Sequence, residues 1–208
     1  PLVRGFDEVF YTPHSRHAGI RAEDVAKVPE LRVLHHVSQS GQSTAVRTGV
    51  KAARGPWIAT LDGDGQNDPA DLPAMLAQAI RENVDCVTGV RKKRQDTFIR
   101  RFSSKVANGF RNWITGDQVS DSGCGIRVVR RAALREIPVF NGMHRFLPTL
   151  LRGQGFTVVE TVVNHRERLR GTSKYGVHNR LWRGIRDCFG IRWYLKRAVH
   201  SDRLNSET

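Results

Sequence analysis

Between residues 57 and 90 the chain passes through an apolar pentapeptide, an acidic turn, an amphipathic stretch and a second apolar pentapeptide, an order that few folds accommodate. Residues 57–61 (WIATL) read as a buried strand that ends abruptly in Asp62. Asp68 is placed to cap the following helix, with Pro69 in its first turn and Leu72, Met75, Leu76, Ala79 and Ile80 facing inward. Residues 86–90 (CVTGV) read as the next strand. A strand–helix–strand connection of this length is too long for a hairpin, so a right-handed βαβ unit is expected, with its two strands parallel neighbours. In sheets of this kind ligands gather beyond the carboxyl ends of strands, where Asp62 and Arg91 both fall.

The rest of the chain follows the same alternation. Residues 6–11 (FDEVFY) and 31–35 (LRVLH) read as strands, and residues 12–30 have no clear period. Residues 43–54 place Ala45, Val46, Gly49, Val50 and Ala53 at helical spacing. A longer helix over 98–115 carries Phe102, Val106, Phe110 and Ile114 at four-residue steps. Short helices are expected at 131–137 and 145–152, a strand at 156–163 and a last helix at 180–199. The sum is an α/β sandwich with a mostly parallel sheet. Its 208 residues, 39% hydrophobic, suit one globular domain. No run approaches the ~18 apolar residues that would cross a bilayer. The chain opens on Pro1 without a charged-then-apolar leader, as an excerpt of a longer protein would. Cys86, Cys124 and Cys188 form no CxxC pair, which suits a reduced, cytoplasmic setting.

The net charge of +14 is unevenly spread. Residues 55–85 hold one arginine against six carboxylates, whereas residues 91–135 hold twelve Lys or Arg against three aspartates. Residues 166–200 hold ten basic side chains against Glu167 and Asp187. A purely electrostatic nucleic-acid binder has no use for an acidic block at its centre, and the aromatic residues do not interleave with the basic runs as a base-stacking platform requires. A site that takes a divalent cation and then a phosphate needs both signs.

The acidic loop is Leu61-Asp-Gly-Asp-Gly-Gln-Asn-Asp68. Asp62 and Asp64 straddle a glycine, so a tight turn can bring both carboxylates to one point. Few, hard oxygen ligands suit Mg²⁺ or Mn²⁺, which keep water and substrate phosphate in their other positions. An EF-hand is excluded, because Asn67 stands at the turn glycine and Pro73 where a bidentate glutamate belongs. A solvated acidic turn with a helix cap is the plainer alternative.

TLDGDGQNDPADLPAML resembles the Asp-x-Asp region of glycosyltransferase family 2, in particular the dolichol-phosphate-mannose and polyprenyl-phosphate-glycose synthase branch. Further stretches match in order: VSQSGQSTAVRTGVKAARG before it, then VTGVRKKRQD, FIRRFSSKVAN, DSGCGIRVVRR, MHRFLP and VNHRERLRGTSKYG. The resemblance implies a GT-A type, Rossmann-like sandwich over residues 1–177, followed by a basic amphipathic helix and tail over 178–208. It implies metal ligation by Asp62, Asp64 and Gln66, and catalytic roles for Asp64, for Arg91, and for Asp121 as base or acceptor-orienting group. It places the acceptor phosphate among Arg101, Ser104, His144, Arg145, Arg166, Arg170, Ser173 and Lys174. The implied reaction moves a hexose, with inversion, from a nucleoside diphosphate sugar to a dolichyl or undecaprenyl phosphate, with Mg²⁺ or Mn²⁺ as cofactor.

Two features qualify this reading. The family opens with a strand carrying a Pro-x-Tyr-Asn-Glu-like segment, and its second strand ends in Asp-Asp-Gly-Ser. Here the first is absent, and FDEVFY is followed by Thr12-Pro-His-Ser15. A catalytically impaired relative serving as a membrane-associated binding module is therefore the alternative. The last helix gathers Leu181, Trp182, Ile185, Phe189 and Trp193 near one face, with Arg183, Arg186, Arg192, Lys196 and Arg197 around them. Tryptophan flanked by cations suits an anionic headgroup layer, so peripheral attachment at the cytoplasmic face of a membrane is expected.

Overall fold

The computed structural model describes residues 34, 36–38, 40–62, 65–91, 98–166 and 177–198, with side chains at 98–105 and 177–183 outside the description. The strands expected at 6–11 and 31–35 lie outside the described residues, as does the question of a missing first strand. The first described element is helix α1 (Gln42–Ala52), followed by strand β1 (Trp57–Thr60). Asp68 then accepts a hydrogen bond from the Ala70 N–H and opens a single 3₁₀ turn at Pro69–Asp71 that runs into α2 (Leu72–Arg81). Strand β2 (Cys86–Arg91), helix α3 (Phe98–Thr115), strand β3 (Arg127–Arg130) and helix α4 (Arg131–Glu136) come next. A 3₁₀ turn at Met143–Arg145, helix α5 (Leu147–Gly153), strand β4 (Val158–Val163) and helix α6 (Val177–Leu195) complete the described chain.

The sheet order is β1-β3-β2-β4. β2 and β4 pair in parallel, while β3 pairs antiparallel with both β1 and β2. Strands β1, β2 and β4 thus share one direction, as an α/β sandwich requires. The expectation that β1 and β2 are hydrogen-bonded neighbours is corrected: β3 lies between them. RVVR is too short and too charged at its ends to announce itself as a central strand, yet Val128 and Val129 are fully buried, one on each face.

Two cores flank the sheet. On one face Ala59, Val87 and Val128 meet Leu72, Met75, Leu76 and Ala79 of α2. On the other, Ile58, Val129 and Cys86 meet Ile114 of α3, Leu147, Leu150 and Leu151 of α5, and Cys188 and Ile191 of α6. Burying each of the Val, Leu, Ile and Met side chains among them contributes about 1.5–3 kcal/mol. Ile80, expected inward, is 61% exposed because it lies beyond the arc set by Met75, Leu76 and Ala79. The four-residue series on α3 also misleads. Val106 and Phe110 are exposed, and the helix turns Arg111 and Ile114 inward instead. In the same way α6 buries Cys188 and Ile191 and leaves Phe189 and Trp193 outside.

Candidate active site

β1 delivers Asp62 to the carboxyl edge of the sheet, where Asn67 fixes the start of the loop by accepting from the Asp62 N–H (2.9 Å). Gly125, just before β3, packs against the Asp62 side chain so closely that an added Cβ would overlap the carboxylate. The Thr60 hydroxyl donates to the Gly125 carbonyl (2.9 Å), holding that approach in place. From the first turn of α1, the Gln42 amide reaches Asp62 Oδ1 at 3.5 Å. Asp64 lies outside the described residues.

Beside this carboxylate, Arg91 at the end of β2 grips Asp121 with both arms of its guanidinium: Nε to Oδ2 at 2.6 Å and Nη2 to Oδ1 at 2.7 Å. The Gly123 N–H also donates to Asp121 (3.2 Å). A fork-to-fork pair this little exposed fixes both side chains and makes Asp121 an acceptor that positions Arg91. The two residues expected to act separately therefore form one unit.

The acidic loop is joined to the segment after β4. Asn67 and His165 form an antiparallel bridge, and the Arg166 N–H donates to the Gln66 carbonyl (2.9 Å). Gln66 Nε2 and His165 Nε2 lie 3.4 Å apart, and Asn164 donates twice to Asp71. Arg166, expected at the acceptor phosphate, pairs with Asp68 at 2.6 Å. The Ala70 N–H and that guanidinium together hold the Asp68 carboxyl below its ordinary value despite some burial. The basic stretch expected to bind phosphate thus begins stitched to the loop expected to bind metal.

His144 and Arg145 belong to the wall behind α1. The Ser43 hydroxyl accepts from the Gly142 N–H (2.9 Å) and lies in hydrogen-bond contact with His144 Nδ1 at 3.0 Å. Arg145 pairs with Asp187 of α6 at 2.6 Å. Of the remaining expected residues, Arg170, Ser173 and Lys174 and the side chains of Arg101 and Ser104 lie outside the description. Gln42, Ser43, Gly125 and His165 were not foreseen. The GQS of the segment before β1 was the available signal for the first two; Gly125 and His165 reach the site only through contacts distant in sequence.

The donor set fits a small hard cation. Asp62 offers carboxylate oxygens and Gln66 an amide on the same loop, and Mg²⁺ or Mn²⁺ needs few protein ligands when substrate phosphates supply the rest. No cluster of three or more His, Cys, Asp or Glu occurs among the described residues. A protein-only metal cage is therefore not what the described part of this loop presents.

The profile of glycosyl transferase family 2 matches residues 18–138. The chain belongs to this family. A dodecaprenyl-phosphate galacturonate synthase of Rhizobium johnstonii is 36% identical over 80% of this chain and 50% of its own length. An undecaprenyl-phosphate 4-deoxy-4-formamido-L-arabinose transferase of Shewanella sediminis is 38% identical over 67% of this chain and 42% of its own. The chain thus spans half or less of the length of these relatives. In fold it is similar to glucosyl-3-phosphoglycerate synthase of Mycobacterium tuberculosis, solved with Mg²⁺ and uridine diphosphate. The TM-score is 0.55 at 16% identity, over 79% of this chain and 58% of that one. The GT-A type sandwich expected from the resemblance is the fold.

Proposed function

We propose that this family 2 domain transfers a sugar from a nucleoside diphosphate sugar to a polyprenyl phosphate, with Mg²⁺ or Mn²⁺ held by Asp62, Asp64 and Gln66. The observation that carries the reading is the meeting of opposite charges at one edge of the sheet. Asp62 lies at the end of β1, the Arg91–Asp121 pair at the end of β2, and Arg166 after β4. Both relatives are named for transfer of a sugar to a polyprenyl phosphate, which supports the acceptor class. One of these relatives is named for a uronate and the other for a formamido pentose, so the transferred group is proposed as a sugar and not specifically as a hexose.

When bound, the cation would stabilise the negative charge that builds on the departing diphosphate. This chain's own residues do the remainder. Gly125 and Gln42 fix Asp62 toward the edge, and Asp121 holds Arg91 so that the guanidinium meets a phosphate without reorganising. A phosphate acceptor is largely ionised near neutral pH, its second pKa lying near ~6, so a strong general base is unnecessary. Attack from the face opposite the diphosphate would invert the anomeric carbon, with alignment supplying most of the acceleration.

Membrane attachment belongs to the same proposal. Trp113 and Phe110 of α3 and Phe189 and Trp193 of α6 are exposed, and Arg197 stacks over the Trp193 ring at 5.3 Å. Arg192, on the same turn, donates to the Ile114 carbonyl and ties the ends of the two helices together. Aromatic rings beside cations suit an anionic headgroup layer, at the cytoplasmic face where nucleotide sugars are made. No helix among the described residues is long and apolar enough to cross a membrane.

The test is transfer of label from a panel of nucleoside diphosphate sugars to undecaprenyl phosphate, followed by organic extraction. Label should enter the lipid fraction with Mn²⁺ present, and both chelator and Asp64→Asn should abolish it. No transfer from any donor, with nucleotide binding retained, would instead support the impaired-relative reading.

A further inference from the structure

On the face packed against α3, α5 and α6, the register aligns Ile58, Val129, Cys86 and Val158 in one apolar row. Two residues further toward the carboxyl ends of β1, β2 and β4, the row on the same face reads Thr60, Arg127, Thr88 and Glu160. Arg127 is only 5% exposed and Thr88 1%. From α3, Arg111 enters this layer at 6% exposure, with its guanidinium 5.0 Å from the Phe146 ring centre.

The cations here outnumber their partners. Arg111 Nη2 donates to the Thr149 hydroxyl (2.5 Å), which in turn donates to Asp117, and Arg152 donates to the other Asp117 oxygen (2.5 Å). Asp117 thus serves two arginines. Asp121 is gripped by Arg91, and Glu160 accepts from the Ser120 N–H. Arg111 Nε and Nη1, Arg127 Nε and Thr88 Oγ1 are buried without a hydrogen-bond partner. Burial pushes the Arg111 pKa down; Asp117 opposes this, and the charges of Arg127 and Arg152 push it lower still. Arg111 therefore sits in the field of both other guanidiniums. Arginine does not shed its proton to escape such a place, and an uncompensated buried charge is strongly destabilising. A water molecule would satisfy the donors but bring no charge.

We propose that Arg111 and Arg127 bind a small inorganic anion, halide or phosphate, in the polar layer between β3, α3 and α5. It is a site apart from the metal loop and does not depend on the transfer reaction. Its occupant ties α3, through Arg111, to β3, through Arg127.

The test is thermal unfolding of the full chain at fixed ionic strength, with gluconate exchanged stepwise for chloride, bromide or phosphate. Wild type should show a saturable rise in Tm with at least one of these, and the anion that saturates lowest identifies the occupant. Arg111→Met should shift the half-saturation by roughly tenfold or lose the response, while Arg81→Gln, at an exposed pair, should keep it. No anion-specific rise, or an unchanged response in Arg111→Met, would overturn the proposal. Should Arg111→Met fail to fold, wild-type crystals grown in bromide or phosphate decide the matter. An anomalous peak or tetrahedral density within hydrogen-bond reach of both guanidiniums supports the site, and water alone overturns it.

Discussion

At the scale of single residues, Gly125 is the clearest case of a sequence signal whose physical reason was hidden. Its backbone is not in the left-handed region, so conformational freedom is not what calls for glycine. The real constraint is space, because any side chain there would collide with the Asp62 carboxylate. Gly125→Ala should therefore leave the fold standing and weaken cation-dependent nucleotide binding by tenfold or more, about 1.4 kcal/mol, as read by calorimetry. Equal affinity would show that the Asp62 position does not matter. Asp117 makes a different point. Burial alone would raise its pKa, but hydrogen bonds from Thr149, Arg152 and the Gln118 N–H prevail and hold the carboxyl below its ordinary value. Its stabilising contribution is thus complete above the unfolded-state value near ~3.9 and lost as pH falls through the lower folded value. Asp117→Asn should lower Tm near neutral pH and flatten its fall below ~pH 4, whereas a parallel acid limb would argue against the ion pair.

At the scale of elements, the helices and strands between residues 57 and 115 could be read closely from spacing and caps, because each has a local cause: the Asp68 cap, Pro69, and runs bounded by glycine and charge. What could not be read was which side of a helix faces in. On α3 the series Val106, Phe110 and Ile114 has helical period, yet the inward face is Arg111 and Ile114, since a buried arginine breaks the rule that apolar means inside. The displaced aromatics are left outward, with Trp113 75% and Trp193 60% exposed. Replacing both tryptophans by serine should reduce cosedimentation with vesicles containing phosphatidylglycerol several-fold, with little change in Tm. Unchanged binding to those vesicles would remove this two-helix face from the account.

At the scale of the whole molecule, the α/β sandwich was legible and the strand order was not. Nothing local to RVVR tells that it inserts antiparallel between β1 and β2; that follows from pairings to residues far away in sequence. The insertion matters to the site, because it brings Gly125 against Asp62 and sets Asp121 beside Arg91 at the same edge. This edge is proposed to bind a nucleoside diphosphate through a cation held by Asp62 and its loop. Calorimetric titration of uridine and guanosine diphosphates into the full chain, with Mn²⁺ or with excess chelator, tests it most directly. At least one nucleotide should bind in a manner that requires Mn²⁺ and is lost in Asp62→Asn; binding of equal strength in chelator, or undiminished in Asp62→Asn, would contradict a cation-held nucleotide site.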